Sequence, residues 1–223
     1  MKKIIVVSTT NYIKKYFTKL KKKKIKILFI NKKSELKEKI ISKYNPDHIF
    51  FVQWHWKVKL KILNSFNCIG FHETPLPFGR GGTPIQNMIL RGFKKTKICA
   101  LKISEKIDQG PIYLKKTVSL NGKGEEIMQR INKVISKMII QLSLKKYKLK
   151  PQKGKATYFK RRKSFMSELP KNFNKIKLFD FIRMLDIDQK NFPKAFINYG
   201  KYKIILSSAK FKSSEIKFQG IIK

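Results

Sequence analysis

Two cysteines in 223 residues are too few for a disulfide framework. Both Cys68 and Cys99 lie in apolar runs, which suits a reducing compartment and makes the cytoplasm the expected location. Histidine is also scarce, with His48, His55 and His72 the whole set. None stands at ligand spacing from a cysteine, aspartate or glutamate, so no metal site is expected. No apolar run approaches the roughly 18 residues of a membrane span. The opening apolar stretch, Ile4 to Val7, is too short for the core of a secretion signal, so no membrane partner is expected. The segment VVSTTNY lacks the glycine turn of a dinucleotide site, and no GxSxG motif marks a serine hydrolase.

Acidic residues are outnumbered 13 to 53 by lysine and arginine, for a formal charge of +40. Clustered cations of that excess would point to nucleic acid, because they release phosphate counterions. Here only six of the basic residues are arginine, and the lysines occupy nearly every polar position beside abundant Ile, Asn and Phe. That composition is the mark of an AT-rich coding sequence, so no specific nucleic-acid partner is expected.

Hydrophobic residues make up 42% of the chain, enough for a main domain and a smaller appendage. Apolar runs at Lys3 to Val7, Ile25 to Ile30 and His48 to Val52 read as buried strands. They are separated by amphipathic segments at about Asn11 to Lys22 and from Ser34 to Asn45, and a further helix is expected over Lys57 to Phe66. Such β-α-β-α-β alternation predicts an α/β, Rossmann-like fold with a mostly parallel twisted sheet. Strands over Lys97 to Ile103 and Pro111 to Leu120 resemble an antiparallel edge pair, and a long helix follows from about Glu125 to Tyr147. The Lys-, Pro- and Gly-rich stretch Leu149 to Lys155 reads as a connector. Residues 1–150 are therefore expected to form the main domain, and 151–223 a small α+β unit with a short helix near Leu178 to Leu185 and a hairpin at Tyr199-Gly200.

The stretch Cys68 to Asn87, CIGFHETPLPFGRGGTPIQN, concentrates the unusual backbone demands. A short buried strand delivers His72 to its C-terminal end, where open α/β sheets hold ligands. Pro75 and Pro77 remove amide donors, and Gly79, Gly81 and Gly82 permit left-handed backbone or close approach around Arg80. Thr83 reads as an N-cap with Pro84 in the first helical turn. The carboxylate expected to meet His72 is Asp108, in the turn KIDQGPIY. A carboxylate beside an imidazole orients it and favours its protonated form, as a general base needs when it takes a proton from an attacking amine. Trp54, His55 and Trp56 follow the third strand at the same rim, where they line a pocket for a flat ring or cover the sheet edge.

These residues resemble the formyltransferases that use N10-formyltetrahydrofolate. The family pattern of strand, Asn-x-His, a loop of the kind S-L-L-P-x-x-R-G and then A-P-I-Q corresponds to Gly70-Phe71-His72, Thr74 to Pro77, Arg80-Gly81 and Thr83 to Gln86. Its D-x-G-P-I signature corresponds to Asp108 to Ile112. The resemblance implies His72 as general base and Asp108 as its partner. It implies a folate co-substrate lying against Trp54, His55, Trp56, Ser104, Lys106, Ile107 and Asp108. It also implies a formyl acceptor held by Thr74, Arg80, Gly81, Gly82, Thr83, Gln86 and Arg161. The Gly-Arg-Gly-Gly variant of the loop is most similar to the sugar-nucleotide branch of the pseudaminic-acid type, which serves glycan or lipopolysaccharide synthesis. The expected acceptor is therefore the amino group of a nucleotide-linked sugar, with UDP as the nucleotide. Methionyl-tRNA is the alternative acceptor, and a folate- or nucleotide-binding protein with impaired catalysis is the alternative of another class. The apolar C-terminal hairpin suits a homodimer. The family asparagine falls at Gly70, so the donor to the reacting oxygen must come from protonated His72, from a water beside Gly70 or from Thr74.

Overall fold

The computed structural model describes residues 1–17, 25–187 and 193–223. Its six-stranded sheet has the order β2-β1-β3-β4-β6-β7. These strands are β1 (Lys2–Ser8), β2 (Ile25–Ile30), β3 (His48–Val52), β4 (Cys68–His72), β6 (Lys95–Lys102) and β7 (Ile112–Ser119), with a two-residue β5 (Arg80–Gly81) between β4 and β6 in the chain. Pairings β2-β1, β1-β3 and β3-β4 are parallel, whereas β4 meets β6 antiparallel, with His72 opposite Cys99. This is the α/β class expected from the alternation.

The central strands are apolar on both faces because they are covered on both. Ile4 to Val7, and Ile49 to Val52, are almost entirely buried. Each fully buried Ile or Phe contributes about 2 kcal/mol. One apolar cluster joins Ile5, Val7, Ile49, Phe51 and Cys68 to Ile41 of α1 (Glu38–Tyr44) and Ile62 of α2 (Leu60–Ser65). Helix α1 stops where Asn45 turns to φ +50° just before Pro46. Of the helix expected over Asn11 to Lys22, the described residues 11–17 hold a 3-10 turn, Lys14–Tyr16, and the rest of that expectation lies outside the described residues.

The chain forms two compact units. One comprises Met1–Arg80, Lys97–Thr117 and Ile131–Thr157, and the other Gly81–Thr96, Val118–Arg130 and Tyr158–Lys223. Helix α4 (Gly124–Leu144) buries Ile127, Ile131, Ile135, Met138, Ile139 and Leu142, a stripe of 3.6-residue period. The second unit contains α3 (Pro84–Leu90), the two-residue β8 (Tyr158–Phe159) and α5 (Lys175–Leu185). Helix α5 is capped by Asn174, whose Oδ1 accepts from Lys177 N at 2.9 Å. It also contains a three-stranded antiparallel sheet, β11-β10-β9, built from β9 (Ala195–Tyr199), β10 (Tyr202–Lys212) and β11 (Glu215–Ile222). The first two are the hairpin expected at Tyr199-Gly200, and the third strand was not anticipated. No helix among the described residues is long and apolar enough to cross a membrane.

Candidate functional site

His72 ends β4, and its ring is held on both sides within the first unit. Nε2 lies 2.8 Å from the Gly79 carbonyl, which can only accept, so this nitrogen carries a proton and donates. Nδ1 is then the nitrogen left for exchange, and it faces Asp108 Oδ2 at 3.5 Å. That separation suits an ion pair and is long for a hydrogen bond. The imidazole is 7% exposed and the carboxylate 21%, so the pair opens to solvent on the aspartate side.

The loop after His72 is fastened mainly through its backbone. Thr157 accepts from Gly79 N with its hydroxyl at 2.7 Å, donates its amide to Pro77 O at 3.2 Å and accepts from Arg80 N at 2.9 Å. Lys115 Nζ donates to Leu76 O at 2.6 Å, ahead of the cis Leu76-Pro77 bond. Thr74 is fully buried, and its hydroxyl donates to Gly79 O at 3.2 Å, in support of the loop. Asp108 has φ +55°, a left-handed backbone that costs an Asp about 1 kcal/mol. Its turn closes at Gly110, where a Cβ would lie 1.7 Å from Lys102 O, so no other residue fits.

Side chains from the connector hold the pair in register. Gln152 Oε1 accepts from Arg80 Nε at 3.2 Å and Nη2 at 2.8 Å, and its Nε2 donates to Asp108 O at 2.7 Å and Gly110 O at 2.9 Å. Gln152, Thr157 and Lys115 escaped the sequence reading. They sit in a connector or on an edge strand, where no period or motif distinguishes them. Glu73 was also missed. It is half-buried next to His72, and burial raises its carboxyl above the ordinary value, an effect the His72 charge opposes. The two thiols are buried, which pushes Cys99 up to about 11 and Cys68 up to about 12.

The space at Gly70 differs from the expectation of a held water. A Cβ there would lie 3.2 Å from Ile103 Cγ1 and 3.9 Å from Leu101 Cδ2, so apolar side chains line the position and offer a water no partner.

At the end of β3 the indoles of Trp54 and Trp56 meet edge to face, 4.7 Å between centroids. Trp54 Nε1 is buried without a hydrogen-bond partner, and Trp56 is 42% exposed. His55 is exposed beside them. Ser104 donates to Lys106 O at 3.0 Å within the Asp108 turn, and the Ile107 side chain points out at 73% exposure. Trp54 and Ile103 pack on the same apolar cluster, which roots the aromatic segment and the start of this turn in one core.

The remaining acceptor candidates belong to the second unit. Gly81 has φ +98°, and a Cβ on Gly82 would lie 2.6 Å from Arg161 Cα, so the glycine admits the 158–162 segment. Thr83 does precede α3, but its hydroxyl makes no helix cap. It accepts instead from Asn87 Nδ2 at 3.1 Å and Arg162 N at 3.3 Å, because φ +48° turns it from the first-turn amides. Gln86 is buried on α3. Among the described residues no three His, Cys, Asp or Glu gather as a cation cage.

Residues 165–223 match the family model described as the methionyl-tRNA formyltransferase C-terminal domain. The solved methionyl-tRNA formyltransferase from Clostridium thermocellum is 40% identical, covers 100% of this chain with 99% of its own, and superposes with a TM-score of 0.94. The methionyl-tRNA formyltransferase of Thermodesulfovibrio yellowstonii is 30% identical over 153 residues, 65% of this chain and 50% of the relative. A sugar N-formyltransferase from Shewanella shares the fold, with a TM-score of 0.71 at 17% identity, 96% of this chain and 100% of that one covered. This chain spans about half the length of the Thermodesulfovibrio relative, and less of others.

Two expectations are corrected by these relatives. A nucleotide-linked sugar as partner, with no specific nucleic acid, conflicts with relatives named for methionyl-tRNA, and the finer likeness to the pseudaminic-acid type falls with it. The sugar expectation rested on the Gly-Arg-Gly-Gly loop, a local pattern that does not specify the acceptor, whereas residues 165–223 match the methionyl-tRNA formyltransferase C-terminal model. With a 40% identical relative matched end to end, the chain belongs to the formyltransferase family.

Proposed function

We propose that this chain transfers a formyl group from N10-formyltetrahydrofolate to the amino group of methionyl-tRNA, with residues 1–150 as the catalytic domain and 151–223 as the smaller C-terminal domain. The observation that carries the chemistry is His72 Nδ1 facing Asp108 at 3.5 Å while Nε2 is committed to Gly79 O. The acceptor rests on the relatives' names. The folate, when bound, supplies the formyl carbon. The exposed aromatic rim at Trp56, the unpartnered Trp54 N–H and the outward Ile107 suit a flat ring with polar edges.

His72 Nδ1 receives the proton of the attacking amine, Asp108 faces the imidazolium so formed, and that proton passes through water to the departing folate N10 as its bond to the formyl carbon breaks. Once protonated, Nδ1–H is able to donate to the oxygen of the tetrahedral intermediate. Thr74 has spent its hydroxyl on Gly79 O, and the space at Gly70 is apolar. One such donor is commonly worth about 3 kcal/mol in the transition state.

Incubation with N10-formyltetrahydrofolate and methionyl-tRNA, read by the mass of the released amino acid, is expected to give formylmethionine that is absent with His72→Asn. Retention within about tenfold in that variant would overturn the assignment of His72. Folate binding with no transfer would replace the enzyme by a binding protein. Transfer to a UDP-amino sugar but not to methionyl-tRNA would overturn the acceptor.

A further inference from the structure

We propose that Gln152 is the positioning residue that sets the His72–Asp108 pair, by tying the arginine of the histidine loop to the backbone of the aspartate turn. The inference rests on the formyl-transfer reading of that pair. A carboxamide has two acceptor and two donor positions, and all four of Gln152 are used: two from Arg80, one to Asp108 O and one to Gly110 O. The orientation is fixed by chemistry. Reversed, the NH2 would face a guanidinium and the oxygen would face two carbonyls.

Thr157 fastens the main chain of the loop at Pro77, Gly79 and Arg80, whereas Gln152 ties the Arg80 side chain to the backbone of the Asp108 turn. Gln152 is itself anchored two residues upstream, where Lys150 and Ile112 exchange backbone bonds of 2.9 and 2.8 Å. Ile112 begins β7 directly after the turn, so the connector and the turn share one anchor. The carbonyl that Gln152 holds belongs to Asp108, whose left-handed backbone aims its carboxylate at His72. Released from that bond, the turn can relax, and a misplacement of about 1 Å at a reacting pair costs about a hundredfold in rate.

The experiment is a double-mutant cycle on the full chain, with formyl transfer to methionyl-tRNA as the rate and the His72 ring signals by NMR as a second readout. Gln152→Ala is expected to lower kcat about 10- to 100-fold with KM for both substrates within about threefold. Gln152→Glu keeps the Arg80 side of the bridge but repels the two carbonyls, and is expected to lose as much. In an Asp108→Asn background the Gln152→Ala change is expected to cost less than twofold, because the carboxylate it positions is gone. The His72 ring shifts of Gln152→Ala should move towards those of Asp108→Asn. The proposal is overturned by an equal loss in both backgrounds, by Gln152→Glu at the wild-type rate, or by an effect confined to KM. If the wild type makes no formylmethionine, the transfer reading fails by itself, and the ring shifts alone decide. Movement towards Asp108→Asn supports the positioning role, and unchanged shifts overturn it.

Discussion

Each unit holds an arginine in a dense set of hydrogen bonds, and the two sets serve different ends. In the second unit Arg183 is 2% exposed. Its Nε and Nη2 donate to Asp180 Oδ1 at 2.6 Å, and Nη1 donates to Leu120 O at 2.6 Å and Gly122 O at 2.9 Å. Its backbone is ordinary helix, and the pair is i,i+3 on α5. In the first unit Arg80 is half-buried and donates to the neutral Gln152, and the bridge ends on a residue with left-handed backbone whose carboxylate still reaches solvent. A charge sealed with all its partners can only hold the chain together. A bridge that leaves one carboxylate open beside a half-committed imidazole can exchange a proton with something that arrives.

That contrast is broken most directly by exchanging the losses. Asp108→Asn is expected to reduce formyl transfer by about a thousandfold with the unfolding midpoint nearly unchanged. Arg183→Met should leave Asp180 buried and uncompensated and cost about 3–5 kcal/mol of stability, with kcat per folded molecule unchanged. Urea titration and transfer rates on both variants decide it. A large stability loss at Asp108, or a kcat loss at Arg183 in folded protein, would erase the distinction.

A smaller effect sharpens the picture of the open side. Gly70→Asn restores the side chain at the family position, but its Cβ enters a contact of 3.2 Å with Ile103. The overpacking is expected to cost about 1–3 kcal/mol in stability without raising kcat. A variant both faster and as stable would show that the position is open to a donor.

The smallest effect is a pH dependence at Glu73. Burial raises its carboxyl, the His72 charge lowers it, and Asp108 raises it; Cys99 also senses its charge. The folded chain therefore holds this proton more tightly than the unfolded chain does. The stability it contributes is full below its ordinary value of 4.5 and is lost as pH rises through the raised folded value. Glu73→Gln should accordingly gain stability over wild type as pH increases through that window. Denaturation midpoints taken between pH 4 and 8 would refute this if the gap narrowed with rising pH.

Much of the scaffold is local information and was legible. Apolar runs marked β3 to the residue and β4 to within one, because a strand buried on both faces is apolar along most of its length. The expected helix over Lys57 to Phe66 shortened to Leu60–Ser65, since no side chain caps its start. His72 and Asp108 were legible because each stands among prolines or glycines that only a shaped loop requires. The sugar acceptor was read from the Gly-Arg-Gly-Gly loop, a pattern that shapes backbone and says little about what the C-terminal unit binds.

By itself the sequence determined the α/β class, the strand that carries the histidine and the turn that carries the aspartate, all set by periodicity and backbone chemistry within a few residues. Only the tertiary structure decided which histidine nitrogen is committed to Gly79, that Ile103 fills the space beside Gly70, and that a glutamine from a Lys- and Pro-rich connector bridges residues 80 and 108. Those outcomes depend on hydrogen bonds and contacts closed between distant segments, and no local pattern encodes which donor will find which carbonyl once the chain is folded.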